Sequence, residues 1–279
     1  MPLESIGSLM RRAVRGGYAV GYFESWNIES LQGVIDAAEQ TRSPIIAGFN
    51  GGFLSGHDWL AGERLSWYAA LGRAAAESAA VPCGLLFNEC PSDDWVALAI
   101  KSGFNLVMPA DASAPFDRYV ERVSALARLA HARGVAVEAE VGELPSGVAG
   151  HGSGGGSRTD PSLAARFVSA TGIDLLAVSI DNVHVKVDGT QDLDLGRLAE
   201  IHRQVKLPLV LHGGRPSRAR SGQMTREALA YRATASGAAQ VCCRERVRHL
   251  QTLDDDCRGT RSDGQVCTAH SGLWSFTGC

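Results

Sequence analysis

Short apolar runs rich in Val, Ile and Leu recur along this chain, each followed by a longer stretch with the i, i+3, i+4, i+7 spacing of an amphipathic helix. That alternation constrains the fold more than any other feature. A strand buried on both faces reads as a continuous apolar run, and parallel strands need long crossovers between them, so the pattern specifies βα units feeding a parallel sheet. Strands are expected over residues 18–23, 44–49, 84–87, 106–108, 135–141, 175–180, 208–211 and 239–243. Helices are expected over 28–41, 64–79, 93–101, 119–133, 161–170, 195–205 and 225–236, the fifth opened by Thr159 and Asp160 as cap and Pro161 in its first turn. Eight such strands predict an α/β fold, a parallel eight-stranded (β/α)8 TIM barrel, for which 279 residues is an ordinary length. A doubly wound sheet with a dinucleotide site loses its main support, because no Gly-x-Gly-x-x-Gly turn follows the first strand.

The barrel domain is expected to span residues 1–251. A tail at 252–279, with Asp254-Asp255-Asp256 and little periodic hydrophobicity, reads as poorly ordered or divergent. The segment 146–157 (SGVAGHGSGGGS), which carries His151, is too rich in Gly and Ser to pack a core and is expected to be a mobile loop over the barrel mouth. A formal charge of -3 leaves no basic excess for neutralising phosphates, so nucleic acid is not an expected partner. With no basic-then-apolar leader and no run long enough to cross a bilayer, the expectation is a cytoplasmic protein without a membrane partner. The seven Cys are irregularly spaced and read as free thiols, with the Cys242-Cys243 pair as strand-packing residues.

Barrel enzymes place their chemistry at the C-terminal ends of strands, so polar residues just after the apolar runs are the candidates. These are Glu24, Asn50, Asn88 and Glu89, Asp111, Glu138 and Glu140, Asp181, Asn182 and His184, and His212 with Gly213 and Gly214. Two His and several carboxylates aimed into one mouth suit a divalent cation such as Zn2+, with Glu89, His184 and His212 as ligands and Glu140 as the alternative. Glu24 and Asn50, ending the first two strands, are read as substrate contacts.

The run TDPSLAARFVSATGIDLLAVSIDNVHVKVDG followed by LDLGRLAEIHRQVKLPLVLHGG resembles the second half of the class II, metal-dependent fructose-bisphosphate and tagatose-bisphosphate aldolases. Weaker similarity runs back through GVAVEAEVGEL, SGFNLVMPADAS and LQGVIDAAEQTRSPII. The resemblance implies that His184 and His212 are metal ligands, that Glu140 lies beside the metal, and that Gly213 helps hold a substrate phosphate. Several positions depart from the family pattern. Where the family has Leu-Asp-His-Gly after the third strand, with Asp as acid/base and His as a ligand, this chain has Phe87-Asn88-Glu89-Cys90. Asn88 cannot exchange a proton as a carboxylate does, whereas Glu89 remains a competent ligand. Arg215 stands where the family has Ser or Thr after His-Gly-Gly and offers a planar fork of donors for phosphate, and Cys242 replaces an Asn that contacts substrate.

The expected function is a lyase: metal-assisted, reversible aldol cleavage of a phosphorylated ketose by a homo-oligomer, dimer or tetramer. Glu89 and Glu140 are the candidates for proton transfer, with Asn88 kept as a hydrogen-bonding group. The alternative is a non-catalytic barrel that binds a sugar phosphate.

Overall fold

A computed structural model of the chain describes residues 3–56, 64–111, 114–141, 158–182 and 193–212, together with the backbone of Leu229–Thr234. Seven strands, β1 (Val20–Glu24), β2 (Ile45–Asn50), β3 (Cys83–Cys90), β4 (Leu106–Pro109), β5 (Ala136–Val141), β6 (Leu175–Val178) and β7 (Leu209–Leu211), pair in parallel in chain order and curl into one sheet. The helices are α1 (Ile6–Gly16), α2 (Ile28–Thr41), α3 (Gly51–Leu54), α4 (Leu65–Ser78), α5 (Asp93–Ser102), α6 (Phe116–His131), α7 (Pro161–Thr171) and α8 (Leu195–Val205).

Local chemistry sets their ends. Asn27 and Ser30 form a reciprocal capping box at α2, while Ser92 caps α5 ahead of Asp93 and Asp94, whose charges suit a helix N-terminus. Asp160 accepts from Leu163 N at 2.8 Å and Pro161 occupies the first turn of α7, as the sequence predicts.

Side chains alternate across each strand, and the two faces build two cores. Facing inward are Val20, Tyr22, Ile46, Leu86, Leu106, Met108, Leu175, Ala177 and Val210. The opposite face, including Phe49, Leu85, Phe87, Val107, Val137, Leu176 and Val178, packs against the surrounding helices. Helix α1, for which the sequence reading makes no provision, buries Ile6, Leu9, Met10 and Ala13 in the inner core. Its approach is tied down by Glu4 N bonding Cys83 O at 2.9 Å and by Asn105 Nδ2 donating to Glu4 O at 2.8 Å. These contacts lie at the starts of β3 and β4, so α1 covers the end of the sheet opposite the strand C-termini.

The sequence expectation of a helix over 225–236 is not met. The backbone instead forms β8 (Leu229–Thr234), paired in parallel with β7 (Val210↔Tyr231) and with β1 (Tyr22↔Ala233). The exposed edges of β1 and β7 each need partners for their backbone groups, and that tertiary demand outweighs local propensity. The strand expected at 239–243, the loop 146–157 and the tail 252–279 lie outside the described residues.

One inward glycine shows how closely the sheet is packed. A Cβ on Gly48 would sit 2.1 Å from Leu86 O and 3.0 Å from Tyr22 Cε2, and a backbone oxygen in a paired strand cannot step aside. Gly48→Ala should therefore lower stability by about 1–3 kcal/mol or more, read as a shift in the urea midpoint. An unchanged midpoint would mean that β2 and β3 do not approach this closely.

Candidate active site at the strand C-termini

The inward faces of four strands end in polar residues. Glu24 closes β1, Asn50 closes β2, Asn88 lies near the end of β3, and His212 follows β7. Strict alternation would turn Glu89 away from Asn88. The β3–β4 register, however, shifts between Phe87 and Cys90, and Glu89 adopts φ +49. This local irregularity re-aims Glu89 so that both residues serve the same mouth. Of the four non-glycine residues with positive φ among the described residues, Arg42 and Lys206 are helix C-caps, whereas Glu89 lies near the end of β3 and Asp181 follows β6 at the mouth. Such conformations cost about 1–3 kcal/mol each and persist where a site requires them.

At the centre lies His212, 1% exposed, held between two carboxylates. Its Nδ1 is 3.0 Å from Glu89 Oε1 and its Nε2 is 2.7 Å from Glu138 Oε1. Burial disfavours the imidazolium, but the hydrogen bonds and charges of Glu138 and Glu89 outweigh it and raise the His212 pKa well above the usual value. Asn182 fixes the backbone here, its Nδ2 donating to His212 O at 2.9 Å while its Oδ1 accepts from Ile180 N at 2.8 Å.

A second, connected group surrounds Glu24, which is 7% exposed. Asn50 Nδ2 donates to Glu24 Oε2 at 3.1 Å and to Glu89 Oε2 at 3.3 Å, and Tyr22 Oη donates to Glu24 Oε2 at 3.4 Å. The Asn88 side chain also hydrogen-bonds Glu24, leaving the buried Asn88 Oδ1 without a partner among the described residues. Burial raises the Tyr22 phenol well above its ordinary pKa, so it acts here as a neutral donor. Burial likewise pushes the Glu24 carboxyl from 4.5 to about 7, against the lowering effect of the Asn50, Asn88 and Tyr22 hydrogen bonds and with the Glu89 charge adding to the rise.

The Glu24 carboxyl makes stability depend on pH. Between pH 4.5 and about 7 the folded protein retains a proton that the unfolded chain has released, so stability falls as pH rises through that window and stays lower above it. In metal-free protein, Glu24→Gln should match wild type near the lower limit and exceed it by about 3 kcal/mol at pH 8, from about 1.36 kcal/mol per pH unit. Urea unfolding at both pH values measures this. A Gln variant no more stable than wild type at pH 8 would show that the carboxyl is not held protonated by its surroundings.

The donors present suit a divalent cation. Glu89, Glu138 and His212 supply oxygen and nitrogen ligands of the type that Zn2+ takes. Glu89 Oε1 and His212 Nδ1 lie 3.0 Å apart, and these two side chains would hold a cation at this mouth. Glu138 on the far ring nitrogen fixes the ring and its tautomer, as a carboxylate behind a ligating His commonly does. The second Glu138 oxygen, Oε2, is buried without a partner among the described residues. Two buried or half-buried carboxylates against one imidazolium leave a negative balance that favours a cation. Among the described residues, no group of three or more His, Cys, Asp or Glu side chains is arranged to hold a metal ion. His184, the remaining sequence candidate, lies outside them, as do Gly213, Gly214, Arg215 and Cys242.

The structure thus brings together Glu24, Asn50, Asn88, Glu89 and His212. Glu140 shares the inward face of β5, but the side chain that touches His212 is Glu138, two residues deeper. The sequence reading noted Glu138 at a strand end without giving it a role, and Tyr22 was hidden inside an apolar run. Asp111 is exposed at the end of β4, and Asp181 is held by Arg158 Nε at 2.8 Å.

A family model described as fructose-bisphosphate aldolase class-II matches residues 4–244. The chain is 34% identical over 219 residues to the probable fructose-bisphosphate aldolase of Bacillus subtilis (strain 168), covering 77% of this chain and 74% of that protein. Against the fructose-bisphosphate aldolase of Geobacillus stearothermophilus it is 34% identical over 217 residues, with the same coverage. Among solved structures, the YdjI aldolase from Escherichia coli K12 matches with a TM-score of 0.71 and 25% identity, covering 93% of this chain and 89% of that one.

Proposed function

The chain belongs to the class II fructose-bisphosphate aldolase family, and from that membership we propose that it cleaves and forms a carbon–carbon bond in a phosphorylated ketose with the help of a divalent cation. It is an aldolase-type lyase, and we read its sheet as a complete (β/α)8 barrel with the site at the strand C-termini. The observation that carries the proposal is His212 buried between Glu89 and Glu138 at that mouth. Glu89, His212 and His184 are the proposed ligands, and Zn2+ is the cation their chemistry suits. When bound, the cation would polarise the ketose carbonyl and offset the negative charge of the enediolate.

The protein's own groups supply orientation. Asn50 and Glu24 face the same mouth and are proposed to bind the polyol chain, with Asn88 as a hydrogen-bonding group. Gly213, Gly214, Arg215 and Cys242 follow β7 in sequence, and we propose that they contact the substrate, Arg215 through its phosphate. Glu140, on the inward face of β5, is retained as a candidate for proton transfer. We place the protein in the cytoplasm as a homo-oligomer. No described helix is long and apolar enough to cross a membrane.

Metal analysis of the purified protein, combined with a screen of ketose mono- and bisphosphates for triose phosphate release, tests this reading. Stoichiometric divalent metal and release from at least one ketose phosphate are expected. A metal-loaded protein that binds these sugars but cleaves none would instead establish a non-catalytic binding barrel.

A further inference from the structure

The strand-three acid/base Asp that the family pattern calls for is Asn88 in this chain, yet a carboxyl still occupies that neighbourhood. It comes from β1. The Asn88 side chain hydrogen-bonds Glu24, and Asn50 Nδ2 joins Glu24 Oε2, at 3.1 Å, to Glu89 Oε2, at 3.3 Å. Glu24 is thus one hydrogen bond away from the amide that has replaced the Asp, and one bridging residue away from a proposed cation ligand. Resting on the aldolase reading above, we propose that Glu24 is the proton-transferring residue of this enzyme, its carboxyl having taken over from strand one the role that strand three no longer supplies.

Three observations distinguish Glu24 from the other carboxyls at the mouth. Glu89 is engaged with His212 Nδ1, and Glu138 with His212 Nε2, so both are committed to holding the imidazole or its cation. Glu140 lies beside the Tyr119 phenol, which its backbone hydrogen-bonds toward the helical layer. Among the described residues, the donors to Glu24 are the neutral Tyr22, Asn50 and Asn88, an arrangement that leaves its proton exchangeable. Among the described residues, the titratable groups facing it are Tyr22 on its own strand and Glu89 across the mouth, with Glu138 near Tyr22. The rise of its carboxyl to about 7 places it where a group serves equally as acid and base at neutral pH.

The proton balance closes on this one carboxyl. In the cleavage direction, the Glu24 carboxylate takes the proton of the substrate hydroxyl next to the scissile bond. The oxygen lone pair forms the aldehyde carbonyl as the carbon–carbon bond breaks, and the bonding pair moves into the ketose portion as an enediolate. The Glu24 carboxylic acid then returns the same proton to the enediolate carbon, which yields the triose phosphate and regenerates the carboxylate. No oxidant, reductant or additional proton donor is consumed.

The test compares wild type, Glu24→Gln, Asn88→Asp and the double variant on the best ketose phosphate. Glu24→Gln should lower kcat by about 10²–10⁴-fold, as expected for loss of a general acid–base, while the carboxamide keeps hydrogen bonds to the polyol chain, so that KM changes by no more than about threefold. It should melt at or above the wild-type temperature at pH 8, so the loss cannot be assigned to misfolding. Asn88→Asp alone should bring no gain, because it sets a second carboxylate against Glu24. The double variant, which returns the carboxyl to strand three, should recover at least about tenfold over Glu24→Gln. An active wild type with Glu24→Gln within about threefold of it overturns the Glu24 assignment while leaving the aldolase reading in place. A double variant no better than Glu24→Gln also overturns it, and a wild type that cleaves no ketose phosphate overturns both.

Discussion

His212→Ala should both destabilise the protein, by about 3–5 kcal/mol at pH 8, and abolish aldol cleavage. The stability effect follows from what the imidazole leaves behind. Glu138 is 0% exposed and loses the hydrogen-bond partner of its Oε1, while its Oε2 has none among the described residues. An isolated buried carboxylate is unfavourable by several kcal/mol and relieves the penalty by taking up a proton. Urea unfolding of metal-free protein at pH 8 measures the loss. No loss would show that His212 and Glu138 are not a buried pair.

Glu89→Gln should separate function from folding. The Glu89 side chain is 26% exposed and its partner His212 keeps Glu138, so stability should change by about 1 kcal/mol or less. A carboxamide is a poor ligand for a divalent cation, and removing several kcal/mol of Lewis-acid stabilisation corresponds to a drop in kcat/KM of about 10²–10³-fold. The drop should be accompanied by weaker retention of metal on dialysis. If Glu89→Gln keeps its metal and turnover while Glu140→Gln loses both, the ligand is Glu140 and the strand-three placement fails.

The contrast between Glu138 and Glu140 shows where sequence reasoning stops. Alternation along VEAEV puts both carboxyls on one face of β5, and that much is legible. Which of them reaches His212 depends on depth and on a register fixed between strands, Glu138 opposite Leu175 and Glu140 opposite Ala177, which no local pattern encodes. Glu89 is similar. Its position after an apolar run marks it as a mouth residue, but only the irregular register of β3 with β4 lets it join Asn88 there.

Helix α1 shows a signal that was present but unread. Ile6, Leu9, Met10 and Ala13 have helical spacing, and Ser5 caps the turn by accepting from Ser8 N. Most of the β/α alternation was legible because both strand faces are apolar and the helices are amphipathic. The expected helix at 225–236 failed where pairing to two strand edges overrode propensity.

The central claim is that this protein breaks a ketose carbon–carbon bond with a cation held at Glu89 and His212. The most direct measurement is triose phosphate release from a ketose phosphate before chelation, after chelation, and after restoring a divalent metal. The account predicts turnover that disappears with the metal and returns with it, in wild type but not in His212→Ala. Turnover that persists in fully metal-free protein, or that survives in His212→Ala, would contradict it.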